Sequence, residues 1–425
     1  MPITLPILTR LGATAGTALV AVWALSNARP IDLYQGETDT RSAYAFGNNW
    51  SDRFLNSSWV GAVALAVVVV AVWLGTKRQV VRVVGAFAGL VVLAAPSVLD
   101  VPTGLAPTTT GLGAGLLLSF VVSAAQSDRA AAAALVIGAA CAYPVRRAVD
   151  ALVGSPRDWS ISLGGSFAHT LVPIVVLALV GALVAATVVR PSVPIFVEGH
   201  RSTMAAVVAA AVVWVVYVSF GDSASSARQW VMAVAVTVVV MAVVAVRSGR
   251  DGGFVCAGLA VAATTVNGMT WSGWWLAPLA LVGIAVGFVL ARRVPSTAVG
   301  CCVLAAVCVS GLVWDNVAST IAYAAVLPAT AVYSYVSSLA SDPSVLALGV
   351  VLPVMCAVFG FSALGKRPSG VFGWVPIDQP IEIPHPGTVI PASAGAIAIA
   401  ATTCVAAAVL STWTSRRSAE EAVGH

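Results

Sequence analysis

The sequence predicts an all-α, polytopic integral membrane protein, a helical bundle of about 14 transmembrane helices. Hydrophobic residues make up 59% of the chain and charged residues only 9%, whereas soluble domains carry about 25% charged residues. Apolar runs follow one another along the whole length, and the basic residues stand singly or in pairs at their ends. We therefore expect one membrane-embedded domain over residues 1–425 instead of several soluble domains.

The expected helices are apolar windows of about 17 to 25 residues, because that length crosses about 30 Å of hydrocarbon. The windows 130–146 and 253–267 are the weakest, which leaves the expected number of spans between about 12 and 14. The windows lie at 10–27, 58–75, 81–99, 110–126, 130–146, 166–189, 203–220, 229–246, 253–267, 273–291, 296–313, 317–339, 344–362 and 393–412.

The distribution of basic residues predicts the orientation of the bundle. With the N-terminus inside, more than half of the arginines and lysines fall on cytoplasmic segments, as the positive-inside rule requires. Tryptophans gather near the opposite ends of the windows, where an interfacial belt is expected. We therefore expect an even number of spans, a cytoplasmic N-terminus and a short cytoplasmic tail over 413–425.

Polar character is concentrated in three predicted exterior loops. They cover about 28–57, 147–165 and 363–392 and contain most of the acidic residues outside the cytoplasmic segments. Any chemistry of the protein is therefore expected at the exterior face.

The first exterior loop contains the carboxylates Asp32, Glu37 and Asp39. One carboxylate could accept a proton from an attacking hydroxyl, and two could hold a hard cation through oxygen ligands. Acids just after the first helix resemble the arrangement in membrane glycosyltransferases that use polyprenyl-phosphate sugars. That resemblance implies a loop carboxylate that acts as a base or holds a divalent metal. The alternative is a solvated loop whose own arginines offset the acids.

The third exterior loop contains the stretch VPIDQPIEIPHP at 375–386. Its prolines exclude a regular helix and favour extended backbone. Side chains alternate along extended backbone, so Asp378 and Glu382 would face one way and His385 the other. We interpret the stretch as an ordered strap over the outer helix ends. The alternative is that Glu382 or His385 faces a cavity and meets an acid of the first loop.

A second candidate site lies around the second exterior loop. Arg146, Arg147, Arg157 and His169 could bind a phosphate, since paired guanidinium groups suit anionic oxygens. Interfacial anchoring by lipid headgroups is the alternative function of the same residues.

The windows contain essentially no acidic or basic residue at mid-membrane depth. Such a residue is costly and usually marks an ion or proton pathway, so the sequence argues against a proton-coupled carrier. Asn267, Tyr323, Tyr333 and Tyr335 are among the few polar residues that remain in the windows, together with several prolines and scattered Ser and Thr. Prolines at this depth break helices or form hinges.

Composition also limits the partners. The seven cysteines lie in apolar stretches without a CxxC motif, so we expect neither a metal nor another cofactor. The scattered arginines form no basic stripe, which argues against nucleic acid. Membrane lipids are the expected partners. Arginine greatly outnumbers lysine, a bias typical of a GC-rich genome, and we expect the plasma membrane of such a bacterium.

Three functions fit this sequence. The first is a transporter or translocase for a lipid or lipid-linked cell-envelope precursor, because an apolar bundle with kinked helices suits a substrate with an apolar tail. The second is the exterior-face glycosyltransferase, and the third is a non-catalytic subunit or scaffold of a membrane complex.

Overall fold

A computed structural model describes most of the membrane-embedded part of the chain. The described residues are 5–27, 66, 69–70, 79–99, 106–126, 128–153, 171–189, 212, 227–269, 275–313, 316–355, 361, 389–390 and 392–423.

Long apolar helices make up almost all of this part. They are α1 (Leu5–Asn27), α2 (Gln79–Val98), α3 (Ala106–Gln126), α4 (Arg129–Val153), α5 (Leu171–Val189), α6 (Ala227–Arg247), α7 (Gly252–Ala263), α8 (Leu276–Arg293), α9 (Thr297–Val313), α10 (Asn316–Ile321), α11 (Leu327–Ser337), α12 (Pro343–Met355) and α13 (Ala394–Val423). Many of these helices are rich in valine, a weak helix former in water. In lipid the helix is nevertheless favoured, because it satisfies every backbone hydrogen bond within one segment.

The predicted all-α class is confirmed. Four of the described helices are long and apolar enough to cross a membrane, and they contain the segments Ile7–Leu25, Thr108–Ala125, Leu276–Arg293 and Ala394–Arg417. These helices indicate a membrane protein. Twelve of the fourteen predicted windows overlap a helix of the structure. The other two, 58–75 and 203–220, lie almost entirely outside the described residues.

Two helices extend beyond their predicted ends. α4 continues to Val153, so the first residues of the predicted loop 147–165 are helical. α13 continues through the predicted tail to Val423. Both extensions contain alanine and arginine, which are good helix formers. In α13 the opposite charges of Arg416 and Glu420, four residues apart, also favour continued helix.

The N-terminal half is packed around α1. This helix lies against α3, α4 and α5, while α2 packs on α3 and α5. Trp23 and Leu25 of α1 are essentially fully buried. At the other end of the helix, Arg10 donates a hydrogen bond of 3.1 Å to the carbonyl oxygen of Ala124. That bond satisfies one of the carbonyls left without a helical partner at the end of α3.

The C-terminal half is packed around α7. This helix contacts α6, α9, α11, α12 and α13, and all its residues except Val261 are buried. A helix that is apolar on every side lies in the interior of a bundle. The two halves meet where α4 packs on α8 and α11 and where α3 packs on α12.

Glycines let neighbouring helices approach closely. Gly283 and Gly287 of α8 form a GxxxG motif, and a Cβ at either position would collide with the carbonyl oxygen of Ala325 or Ala329. Small residues spaced by four are the usual means of close helix contact in membranes. The pair of α8 and α11 is therefore held by backbone contact and not by interlocking large side chains.

The described residues also include a short antiparallel strand pairing. β1 (Gly268–Met269) follows α7, and β2 (Val389–Ile390) precedes α13; Gly268 pairs with Ile390 and Met269 with Val389. This pairing brings the end of α7 beside the start of α13.

Candidate functional site: a polar hub at the end of a short central helix

The central helix α7 is too short to cross a membrane by itself. Its 12 residues alone rise about 18 Å, which is less than the roughly 30 Å of a bilayer core. The 3-10 turns Gly249–Asp251 and Thr264–Val266 extend it at its two ends. At Asn267 the backbone becomes extended, with φ −87° and ψ 140°. Backbone groups that leave helical geometry beside apolar helices must find partners within the protein, so the end of α7 needs polar partners.

Asn267 supplies those partners. Its side-chain Nδ2 donates to the carbonyl oxygen of Cys308 on α9 at 2.8 Å and to the hydroxyl of Tyr323 at 2.6 Å. Its Oδ1 accepts a hydrogen bond of 2.9 Å from the backbone N–H of Ala392, just before α13. Only 5% of the residue is exposed. One buried amide thus joins α7, α9, the Tyr323 segment and the start of α13, and we call this group the Asn267 hub.

The partners determine the orientation of the amide. The backbone N–H of Ala392 can only donate, and the carbonyl of Cys308 can only accept. The oxygen must therefore face Ala392 and the nitrogen must face Cys308. The hydroxyl of Tyr323 accepts from the same nitrogen and directs its own hydrogen towards the carbonyl oxygen of Thr264, 3.5 Å away.

Tyr323 lies in a second interrupted helix. Residues Ala322–Val326 form a π-helical turn between α10 and α11, and the backbone N–H of Leu327 bonds the carbonyl of Ala322. Pro328, in the first turn of α11, has no N–H to donate. Single π turns occur frequently at functional sites. Two helices therefore depart from regular geometry at the hub.

Most hydroxyl side chains of the described helices are satisfied within their own helix. Ser119, Ser310 and Thr330, for example, donate to carbonyls three or four residues earlier. Two tyrosines instead bond between helices. Tyr333 donates to the carbonyl of Val294 and Tyr335 to the carbonyl of Gly349, each at 2.7 Å. The polar residues of the apolar windows, such as Asn267, Tyr333 and Tyr335, therefore make hydrogen bonds between helices.

The structure leaves most of the predicted site residues undescribed. Asp32, Glu37, Asp39, Glu382, His385, Arg157 and His169 all lie outside the described residues. Arg146 and Arg147 lie on α4 instead of in a loop, and the Arg146 side chain is half-buried. The predicted carboxylate and phosphate sites therefore stay predictions.

The buried thiols show no arrangement typical of a metal centre. Among the described residues, no group of three His, Cys, Asp or Glu side chains could hold a metal ion. Cys256, Cys301, Cys308 and Cys404 are buried, and the Cys404 thiol lies 3.4 Å from the carbonyl of Ala260. A thiol is a weak donor that packs like a small apolar group, so these residues contribute to helix packing.

No family model matches the chain, and no curated protein is similar to it.

Proposed function

We propose that the protein is a transporter or translocase of the plasma membrane for a lipid or lipid-linked cell-envelope precursor. The observation that supports this proposal is the Asn267 hub, where the short helix α7 and the π turn before α11 meet inside an apolar bundle. Membrane carriers form substrate sites from interrupted helices, because the break exposes backbone polar groups and supplies a hinge.

The hub favours a neutral polar group over an ion. Its donors and acceptors are the Asn267 amide, the Tyr323 hydroxyl and the carbonyls of Thr264 and Cys308, none of which is charged at neutral pH. Hydroxyl and amide groups of a sugar or lipid headgroup could exchange hydrogen bonds with such a set. The apolar tail of the substrate would remain in the surrounding lipid.

The hub also suggests how the protein would change conformation. Both hydrogens of the Asn267 side-chain amide are engaged, and in the proposed transport cycle this arrangement would be the closed state. Movement of the π turn that contains Tyr323 would break the Asn267–Tyr323 bond and separate Tyr323 from the end of α7. A passing headgroup would replace that bond, which keeps the cost of opening low.

We further propose about 14 spans with both termini in the cytoplasm. Contacts within the described part support the alternation of helix direction. The turn before α7 bonds the turn before α12 through Asp251 and Ser341 at one end of the bundle, while Asn267 bonds Ala392 at the other end. Both contacts join segments that the sequence assigns to the same side of the membrane.

The first test is the envelope lipid profile of a deletion strain. We expect a lipid or lipid-linked sugar to accumulate, or to change its sidedness, and wild-type protein to restore the normal profile. Asn267→Ala should restore it poorly at normal abundance, because the hub has lost its central amide. Thr402→Ala is the matched control, since Thr402 is exposed and bonds only its own helix.

Two results would overturn the proposal. One is a deletion strain whose envelope lipids and their sidedness are all unchanged. The other is failure of an Asp32/Glu37/Asp39→Ala variant to clear the precursor while Asn267→Ala clears it fully, because chemistry would then reside in the exterior loop.

A further inference from the structure

One end of the C-terminal half carries exposed arginines on three neighbouring elements. We call them the arginine rim: Arg247 and Arg250 near the turn between α6 and α7, Arg292 and Arg293 at the end of α8, and Arg416 and Arg417 on α13.

Contacts place the first two elements at the same end of the bundle. The hydroxyl of Tyr333, near the end of α11, bonds the carbonyl of Val294 directly after α8. A Cβ on Gly253 would lie 3.2 Å from the Cβ of Ser338, directly after α11. The start of α7 and the end of α8 therefore both pack on the last turn of α11.

The third element reaches the same end because α13 runs antiparallel to α7. Asn267 bonds Ala392 at one end of the pair, and the thiol of Cys404 lies beside the carbonyl of Ala260 farther along. Arg416 lies 12 residues, or about 18 Å, beyond Cys404 along α13. Gly252 lies 8 residues, or about 12 Å, from Ala260 along α7 in the same direction. Arg416 and Arg417 therefore stand about 6 Å beyond the start of α7.

Two acidic side chains at this end, Asp251 and Asp342, accept hydrogen bonds from backbone groups, and Glu420 lies exposed on α13 one turn beyond Arg416 and Arg417. The Asp251 carboxylate accepts hydrogen bonds from the N–H groups of Ser341 and Asp342, at 3.0 and 2.9 Å, and from the Ser341 hydroxyl. The Asp342 carboxylate accepts from the N–H of Ser344 at 2.7 Å. The Asp342 carboxylate caps the start of α12, and the Asp251 carboxylate bonds the turn before it, so backbone donors hold both carboxylates.

Two rim guanidinium groups lie against aromatic rings. Arg292 is 4.9 Å from the ring centre of Phe288, and Arg417 is 5.6 Å from that of Trp413. Trp413 is 45% exposed, and exposed tryptophan beside arginine is typical of the depth of lipid headgroups. The rings hold these two cations against the exposed side of the bundle.

We propose that the arginine rim binds the anionic phosphate headgroups of the leaflet at this end of the bundle. Guanidinium groups bind phosphate oxygens in pairs, and each basic residue near an anionic surface increases binding by about fivefold. This inference goes beyond the transported substrate and depends only on membrane insertion.

The test is the lipid that copurifies with the full-length protein. Protein incorporated in nanodiscs of equal amounts of phosphatidylglycerol and phosphatidylcholine is extracted, and the bound lipids are counted by native mass spectrometry. We expect enrichment of phosphatidylglycerol on the wild-type protein. A variant in which Arg292, Arg293, Arg416 and Arg417 are changed to glutamine should show more than tenfold less enrichment, because four factors of about five multiply, and the matched lysine variant should keep most of it.

The unfolding temperature in nanodiscs of phosphatidylcholine alone separates a loss of lipid binding from a loss of folding. Both variants should have the same unfolding temperature there as the wild type. If the glutamine variant does not fold, the wild-type protein is titrated with NaCl, and the enrichment should fall as the Debye length shortens. Equal enrichment on the wild-type and glutamine proteins, or enrichment that is unchanged by salt, would overturn the proposal.

Discussion

Asn267 shows how one amide can organise a break in a membrane helix. Its Nδ2 and Oδ1 serve a carbonyl of α9, the hydroxyl of Tyr323 and the N–H of Ala392, and these groups would otherwise face an apolar interior. An aspartate at this position would add a buried charge, and a leucine would leave Ala392 without an acceptor. Neither exchange preserves the hub.

We expect Asn267→Ala to lower the free energy of unfolding by about 2 kcal/mol, since hydrogen bonds between membrane helices contribute roughly 0.6 kcal/mol each and an orphaned buried group adds more. Tyr323→Phe should cost about 1 kcal/mol. The double variant should lose less than the sum, because both side chains share one bond. The free energies of unfolding of the two single variants and the double variant are measured in mixed micelles with increasing SDS. Strictly additive losses of free energy would contradict a shared hub.

At the residue scale, sequence reasoning recognised Asn267 and Tyr323 only as polar residues within apolar windows. Their partnership joins positions 56 residues apart, and no local pattern encodes such a distance. The third partner is the backbone N–H of Ala392, which any residue except proline would provide. A sequence therefore indicates that a buried amide needs partners but does not identify them.

At the scale of elements, the GxxxG motif of α8 can be tested directly. Gly287→Ala places a methyl group against the carbonyl of Ala329, which should cost about 2 kcal/mol as the helices separate. Gly395→Ala is the matched control, because nothing lies within 4 Å of a Cβ there, and it should leave stability within about 1 kcal/mol of the wild type. The same SDS titration compares the two, and equal effects would argue against close packing of α8 on α11.

The Asp251 contact should stabilise the turn before α12. Asp251→Ala removes the acceptor of the Ser341 and Asp342 N–H groups, and we expect a loss of about 1 to 2 kcal/mol. Hydrogen exchange should accelerate at residues 341–346 while α9 stays protected. Glu420→Ala, at an exposed site, is the control. Unchanged exchange at 341–346 would show that the contact does not hold the turn.

Helix positions were predictable to a greater extent than helix ends. Length and hydropathy locate α8 and α9 to within a few residues, because the bilayer selects for both. The extension of α4 to Val153 was missed, since arginine and aspartate end an apolar window but not a helix. The division of α7 into helix, 3-10 turn and extended Asn267 was missed as well, because it depends on partners elsewhere in the chain.

At the scale of the whole molecule, the orientation of α13 determines on which side the arginine rim lies. We expect a single cysteine at Ser415, in a chain whose native cysteines are replaced, to react with an impermeant maleimide only after the membrane is opened. A single cysteine at Ala394 should react in intact cells. Labelling of both from the same side would show that α13 does not cross the membrane.

The all-α class followed from composition because lipid leaves only a few choices of backbone structure to a chain this apolar. The candidate site did not follow in the same way. The sequence directed attention to carboxylates such as Asp32 and Glu382, which lie outside the described residues, whereas the described polar centre is uncharged. Charged residues are easily recognised in an apolar sequence, whereas the uncharged residues of the Asn267 hub resemble the other scattered polar residues.

The π turn at Ala322–Val326 amounts to one extra residue inserted into a helix. Each helical residue turns the chain by about 100° and advances it by 1.5 Å, so this insertion sets how α10 is rotated relative to α11. Removing one alanine of the turn would restore an ordinary helix and swing Tyr323 about a quarter-turn away from Asn267. Such a deletion would leave composition and hydropathy almost unchanged while it separates the two halves of the hub.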